Sequence, residues 1–314
     1  MRACLFLVVT LLCAAPLWAE PVTITHRFGT TTIPAPPERV VSVGYHEQDF
    51  LYALGIAPVG VHEWFGARPF ATWGWAEDAR RALGAKPAVQ RGFEIDLEWV
   101  WQQKPDLIVA TFAPMDRATY DLLSRIAPVV GPHKDYADWT APWQDELRLI
   151  AAATGRTGRG EAVIADVEAR LADIAAAHPV LAGAEAAVVY LSDTALVGYG
   201  TRDGSNRMLA SLGLHIPARF DELVTEAGNF SVSLERIDLF DRDVAVWLTE
   251  GDGRDMLSSL PAYRDTRLAR EGRSVWADEE EMGAMSFQSP LSIPWVAARL
   301  VPRIAAALEA PNRD

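Results

Sequence analysis

The 314 residues carry 29 Lys and Arg against 42 Asp and Glu, a formal net charge of −13. That balance excludes an ordinary nucleic-acid binder, which gathers positive charge on its binding face. The cysteines, Cys4 and Cys13, both lie near the start, so the remainder has neither a disulfide framework nor a thiol nucleophile.

Met1-Arg2 precedes an apolar run from Ala3 to Ala15 and then Pro16-Leu17-Trp18-Ala19-Glu20. This is the basic start, apolar middle and small-residue end of an export signal, too short to span a bilayer. Cleavage is expected after Ala19, with Leu17 larger than usual at the third position from the cut. Cys13 offers a competing lipid-attachment reading, which the bulky Leu12 before it disfavours. Roughly 295 residues then remain as a soluble, exported product, enough for two domains.

Arg39-Val40-Val41-Ser42-Val43 reads as a buried strand, and Phe50 to Gly55 as the end of the following helix with a glycine stop. Pro58 to Val61 is the next strand. Directly after it comes WFGARPFATWGW, Trp64 to Trp75, five aromatic rings and an arginine with too much Gly and Pro for an ordinary helix. Asp106 to Ala110, Ala187 to Leu191 and Asp243 to Trp247 are further strands. Strands alternating with helices predict α/β units around mainly parallel sheets.

DLEWVWQQKPDLIVA (Asp96 to Ala110) aligns without gaps to SLERIDLFDRDVAVW (Ser233 to Trp247). Each reads as an N-cap, Leu-Glu, a helical stretch, an Asp and an apolar strand, which favours two related lobes over chance likeness. Between them, Thr157 to Ala177 places Val163, Val167, Leu171 and Ile174 on one helical face. Such a helix spans on the order of 30 Å and leaves little freedom for a wide hinge. The expected architecture is α/β: two Rossmann-like lobes, residues 20–156 and 179–314, joined by one long α-helix over 157–178, with a ligand cleft between them.

The usual enzymatic signatures are missing: no G-x-S-x-G, no G-x-x-x-x-G-K-[ST], no G-x-G-x-x-G and no H-E-x-x-H. His26, His46, His62, His133, His178 and His215 are scattered, which argues against a protein-ligated metal. His46 with Glu47 and Asp49, after a predicted strand, is the set an exported metal-dependent enzyme would use, and the weaker reading.

PERVVSVGYHEQDFLYALGIAPVGV (Pro37 to Val61), the two repeat segments and LLSRIAPVV (Leu122 to Val130) resemble the landmarks of iron–siderophore substrate-binding proteins of ABC importers. The resemblance runs in order over nearly the whole chain. It implies a periplasmic, monomeric protein that captures a ferric siderophore and delivers it to a permease dimer in the inner membrane, making and breaking no bond. No covalent cofactor is implied, since the chelator already encloses the iron. The same fold binding haem, cobalamin or another chelate is the alternative, with Tyr45, His46 or His62 as haem-ligand candidates.

The implied cleft is lined by loops at the carboxyl ends of strands, as in open α/β sheets generally. Tyr45, His46, Trp64, Trp73, Trp75, Phe112, Tyr199 and Phe287 are the candidate walls, and Arg68, Arg91 and Arg202 the candidate donors to chelator oxygens. For each aromatic the competing reading is core packing, and for each arginine an ion pair or solvated surface. Glu98 and Glu235, matched in the repeat, read either as first-turn helix acids or, by the resemblance, as one permease-docking glutamate per lobe.

Overall fold

The computed structural model describes residues 20–192, 194–225 and 228–310. The expected export signal and both cysteines lie outside the described residues.

An antiparallel hairpin of β1 (Val22–His26) and β2 (Gly29–Ile33) opens the fold, its alternate residues facing inward. The first sheet contains β3 (Val40–Ser42), β4 (Gly60–His62), β5 (Ala88–Gln90), β6 (Leu107–Val109) and β7 (Val129–Val130). Its order is β5-β4-β3-β6-β7, and every pairing is parallel. Apolar packing covers both faces, which is why its central strands are continuous apolar runs and not alternating ones.

The second sheet contains β8 (Ala186–Leu191), β9 (Ala195–Tyr199), β10 (Asn229–Ser233), β11 (Val244–Thr249) and β12 (Ser274–Trp276), in the order β10-β9-β8-β11-β12. β8, β11 and β12 pair in parallel, whereas β9 runs antiparallel to both its neighbours, β8 and β10. The expectation of mainly parallel sheets meets one exception there, the reversed strand β9. β9 follows β8 after a short turn, and a parallel return needs a crossover of a dozen or more residues.

The internal repeat is structural as well as sequential. Asp96 caps the helix Leu97–Gln102 by accepting from the Glu98 and Trp99 amides. Its counterpart Ser233 makes no such bond, and the matched segment Leu234–Phe240 is a 3-10 helix. The aspartates that follow play the same part. Asp106 accepts from the Glu38 and Arg39 amides at the entrance to β3, and Asp243 from the Glu185 amide at the entrance to β8. In each lobe a carboxylate thus pins the start of the central strand beside its own.

The helix Thr157–Ala177 follows the first sheet in the chain and precedes the second. Val163, Ile164, Val167 and Leu171 are buried in it, against the helices Trp143–Ala153 and Ser292–Glu309. One apolar cluster runs unbroken from Phe50, Trp73 and Trp75 beside the first sheet to Val189 and Trp247 in the second. The lobes therefore share core, and moving them apart would expose it.

Candidate functional site: an aromatic cleft between the lobes

A cavity of about 480 Å³ opens between the two lobes, at the carboxyl ends of the first sheet's strands. Tyr45 and His46 reach it from the turn after β3, Trp64 from beyond β4, and Phe112 from beyond β6. Trp139, Thr140 and Trp143 come from the connection after β7 and the helix it enters. The second lobe supplies Tyr199 at the end of β9, Asp203 and Arg207 around the helix Gly204–Ser211, and Met285, Ser286 and Gln288.

The rings form a continuous surface. Tyr45 stacks on Trp64 at 5.5 Å and on Trp139 at 6.0 Å between centroids, and Phe112 meets Trp139 edge-on at 4.5 Å. Phe93, 75 % exposed, stands at the rim, where its carbonyl accepts from the Tyr45 hydroxyl at 3.0 Å. Burial, helped by the Glu47 charge, raises the Tyr45 pKa, so its phenol stays protonated. Tyr199 is also raised by burial.

Beneath the rings lies a buried polar floor. His46 Nδ1 donates to the Phe287 carbonyl at 2.5 Å, and Nε2 faces Glu146 Oε1 at 2.9 Å. A carbonyl can only accept, so Nδ1 carries a proton, and the carboxylate favours a second proton on Nε2. Burial alone would lower the His46 pKa; the charge and hydrogen bond of Glu146 outweigh it, and the pKa is raised. Thr111 Oγ1 donates to Glu146 Oε1 at 2.6 Å, and the Phe112 amide donates to Glu47 Oε1 at 2.9 Å. Burial raises the Glu47 pKa, with the His46 charge opposing. Asp49, fully buried, accepts from Trp75 Nε1 at 2.7 Å and from Ser289 Oγ at 2.6 Å, and burial pushes its pKa up to about 6. The Phe287 carbonyl and the Ser289 hydroxyl belong to the second lobe, so the floor also fastens the lobes together.

His46, Glu47 and Asp49 do not converge as the enzyme reading requires. Asp49 turns toward Trp75 and Ser289, and Glu47 toward the Phe112 amide and Ser42. Among the described residues no three His, Cys, Asp or Glu side chains are grouped to hold a metal ion.

Of the sequence-predicted site residues, Tyr45, His46, Trp64, Phe112 and Tyr199 line the cavity. Trp73 and Trp75 do not. They are 1 % and 8 % exposed and stack on each other at 5.1 Å in the core, the competing reading for these rings. The loop folds back because Gly66, Ala67, Phe70 and Ala71 all adopt positive φ. At Gly66 a Cβ would also lie 2.4 Å from the Trp73 ring. Phe287 is buried behind the wall against Trp64, Trp73 and Trp75, while its neighbours Ser286 and Gln288 face the cavity.

The arginines are placed differently as well. Arg68 lies over Trp73 and pairs with Glu279 at 2.9 Å and Glu280 at 3.0 Å, outside the cavity. Arg91 is exposed and pairs with Glu63 at 2.8 Å. Arg202 lines a neighbouring pocket of about 400 Å³ that meets the cavity at Thr140 and Gly228. Trp139, Trp143, Glu146, Asp203 and Arg207 were not foreseen. DWTAPW (Asp138 to Trp143) carried the available signal: paired tryptophans and a proline just after a strand, as in the segment opening at Trp64. Glu98 and Glu235 are both exposed in the first turns of their matched helices.

Comparison with known proteins accords with this architecture. Residues 40–280 match the model of the periplasmic binding protein family. The chain is 34% identical over 155 residues to the probable siderophore-binding lipoprotein YfiY of Bacillus subtilis, covering 48% of this chain and 44% of that relative. A periplasmic solute binding protein of Mycobacterium smegmatis superposes with a TM-score of 0.82 at 35% identity, covering 92% of this chain and 99% of that one. The Streptococcus pneumoniae protein PiaA, in complex with ferrichrome, gives a TM-score of 0.81 at 23% identity over 92% and 99% of the two chains. With most of its length matched and its two α/β lobes facing one cleft, the chain belongs to the periplasmic binding protein family.

Proposed function

We propose that the protein captures a ferric siderophore in the interlobe cleft and delivers it to an ABC importer in the inner membrane. One observation carries the reading: an aromatic-walled cavity whose floor groups are already bonded to one another. Such a site offers contact area and a few fixed donors and acceptors, which suits a bulky chelate with enclosed iron. The siderophore-binding name of the Bacillus relative supports it. Haem ligation through His46 is disfavoured, because both ring nitrogens are engaged.

In this reading the chain holds and releases its cargo without catalysis, as an exported periplasmic monomer. Glu98 and Glu235, one per lobe and both exposed, meet basic residues of the two permease subunits. The remaining acidic surface steers the encounter, so docking weakens with added salt.

Tryptophan-fluorescence titration against a panel of ferric siderophores, haem and cobalamin tests the proposal. The expected outcome is saturable quenching by at least one ferric siderophore at one per chain, with the chelate recovered unaltered. Saturation by haem or cobalamin alone, or chemical turnover of the chelator, would refute it.

A further inference from the structure

The formal charges inside the cleft nearly cancel. Among the described residues lining it, the acids are Glu146 and Asp203 and the basic groups are His46 and Arg207. His46 and Glu146 face each other at 2.9 Å and neutralise one another. Asp203 acts electrostatically on Arg207, whose Nη2 donates to the Thr140 carbonyl at 2.5 Å. Arg91 pairs with Glu63, and in the neighbouring pocket Arg27 pairs with Asp138 while Arg202 shares the lining with Asp221. Even with Asp203 protonated, the lining carries no more than one net positive charge.

A second observation points the same way. Gln288 Oε1 is buried at the cavity lining without a hydrogen-bond partner. It can accept from a neutral donor such as an amide N–H, and it repels a carboxylate.

Three singly deprotonated hydroxamates exactly balance ferric iron, whereas three doubly deprotonated catechols leave a triply negative complex and citrate complexes are also anionic. Taking such anions out of water requires a surplus of fixed positive charge, and the lining of this cleft carries at most one. Resting on the siderophore reading above, we infer that the cleft is selective for ferric chelates of zero or positive net charge, of the tris-hydroxamate type, and discriminates against tris-catecholate and citrate complexes.

The test is fluorescence titration of the full protein, at low and high salt, with a neutral ferric tris-hydroxamate, a ferric tris-catecholate and ferric citrate. The hydroxamate should bind with little salt dependence, and the two anions more weakly by roughly a hundredfold or more. A tris-catecholate or citrate complex binding as tightly as the hydroxamate would overturn the charge inference while leaving the siderophore reading intact. No binding by any of the three, nor by other ferric siderophores, would take down both. Asp203→Asn adds positive charge and keeps a helix-capping side chain. It should raise the ratio of anionic to neutral affinity by roughly tenfold, and an unchanged ratio counts against the inference.

Discussion

Trp73 and Trp139 are the same residue type on opposite sides of the cleft wall, and truncating each separates packing from binding. Trp73 is enclosed by Phe65, Trp75 and Phe287 at centroid distances of 5.4, 5.1 and 6.2 Å, with the Arg68 guanidinium 4.3 Å from its ring. Its remaining neighbours include Gly66 and Gly283, where an added Cβ would come within 2.4 and 3.0 Å of the indole. A void edged by backbone collapses poorly, so Trp73→Ala should cost roughly 3–5 kcal/mol of stability, toward the upper end. At about 2 °C or more per kcal/mol for a chain of this size, that lowers Tm by on the order of 6–10 °C. Trp139 is 37 % exposed and touches Tyr45 and Phe112 from the cavity side. Trp139→Ala should leave Tm within a few degrees and weaken chelate affinity by roughly 10- to 100-fold, as for a buried aromatic anchor. Urea or thermal unfolding measures the first effect and fluorescence titration the second, both on protein shown to be folded. The assignment of sides fails if folded Trp73→Ala loses affinity while Trp139→Ala keeps it.

Asp49→Asn tests the buried floor. Burial raises the folded-state pKa to about 6 from 3.8, so the native state holds a proton that the unfolded chain has released. Between those values stability falls as pH rises, and above about 6 the loss is complete, approaching at most about 3 kcal/mol. Asn retains an acceptor for Trp75 and Ser289, so urea denaturation should show variant minus wild-type stability increasing from pH 4 to pH 7; a flat difference would contradict the shift. Charge reversal at Glu98 and Glu235 together should abolish uptake of the iron chelate in cells while chelate affinity and Tm stay unchanged, and normal uptake would sink the docking assignment. Gly66→Ala places a Cβ at φ +92 and 2.4 Å from Trp73, so it should cost about 1–3 kcal/mol, read as a lower urea midpoint.

What could be read from the residues follows from the range of the forces involved. Apolar runs such as Val40 to Val43 and Leu107 to Ala110 announce strands because a sheet covered on both faces demands them. The stripe Val163, Val167, Leu171 announces the helix because its period is local. The cleft was legible to the same depth in the first lobe: a ring just past a strand's carboxyl end, as Tyr45, Trp64 and Phe112 are, has few places to go. The reversed direction of β9 was less so, since the composition of a strand does not state the direction of its partner.

The segment opening at Trp64 shows where local reading stops. Its Gly and Pro identify a loop, but which rings face the cavity depends on partners far away in sequence. Trp75 turns inward because its buried indole N–H meets Asp49, itself held by Ser289 of the other lobe. Arg68 turns outward because Glu279 and Glu280 stand there. Trp64 faces the cavity because Tyr45 and Phe112 offer it a surface on that side. The loop is therefore a seam, with one face closing the shared core and the other forming the wall of the cleft. A substitution that loosens its core face, such as Gly66→Ala, should also disturb the wall, so its effects on stability and affinity should appear together where those of Trp73→Ala and Trp139→Ala separate.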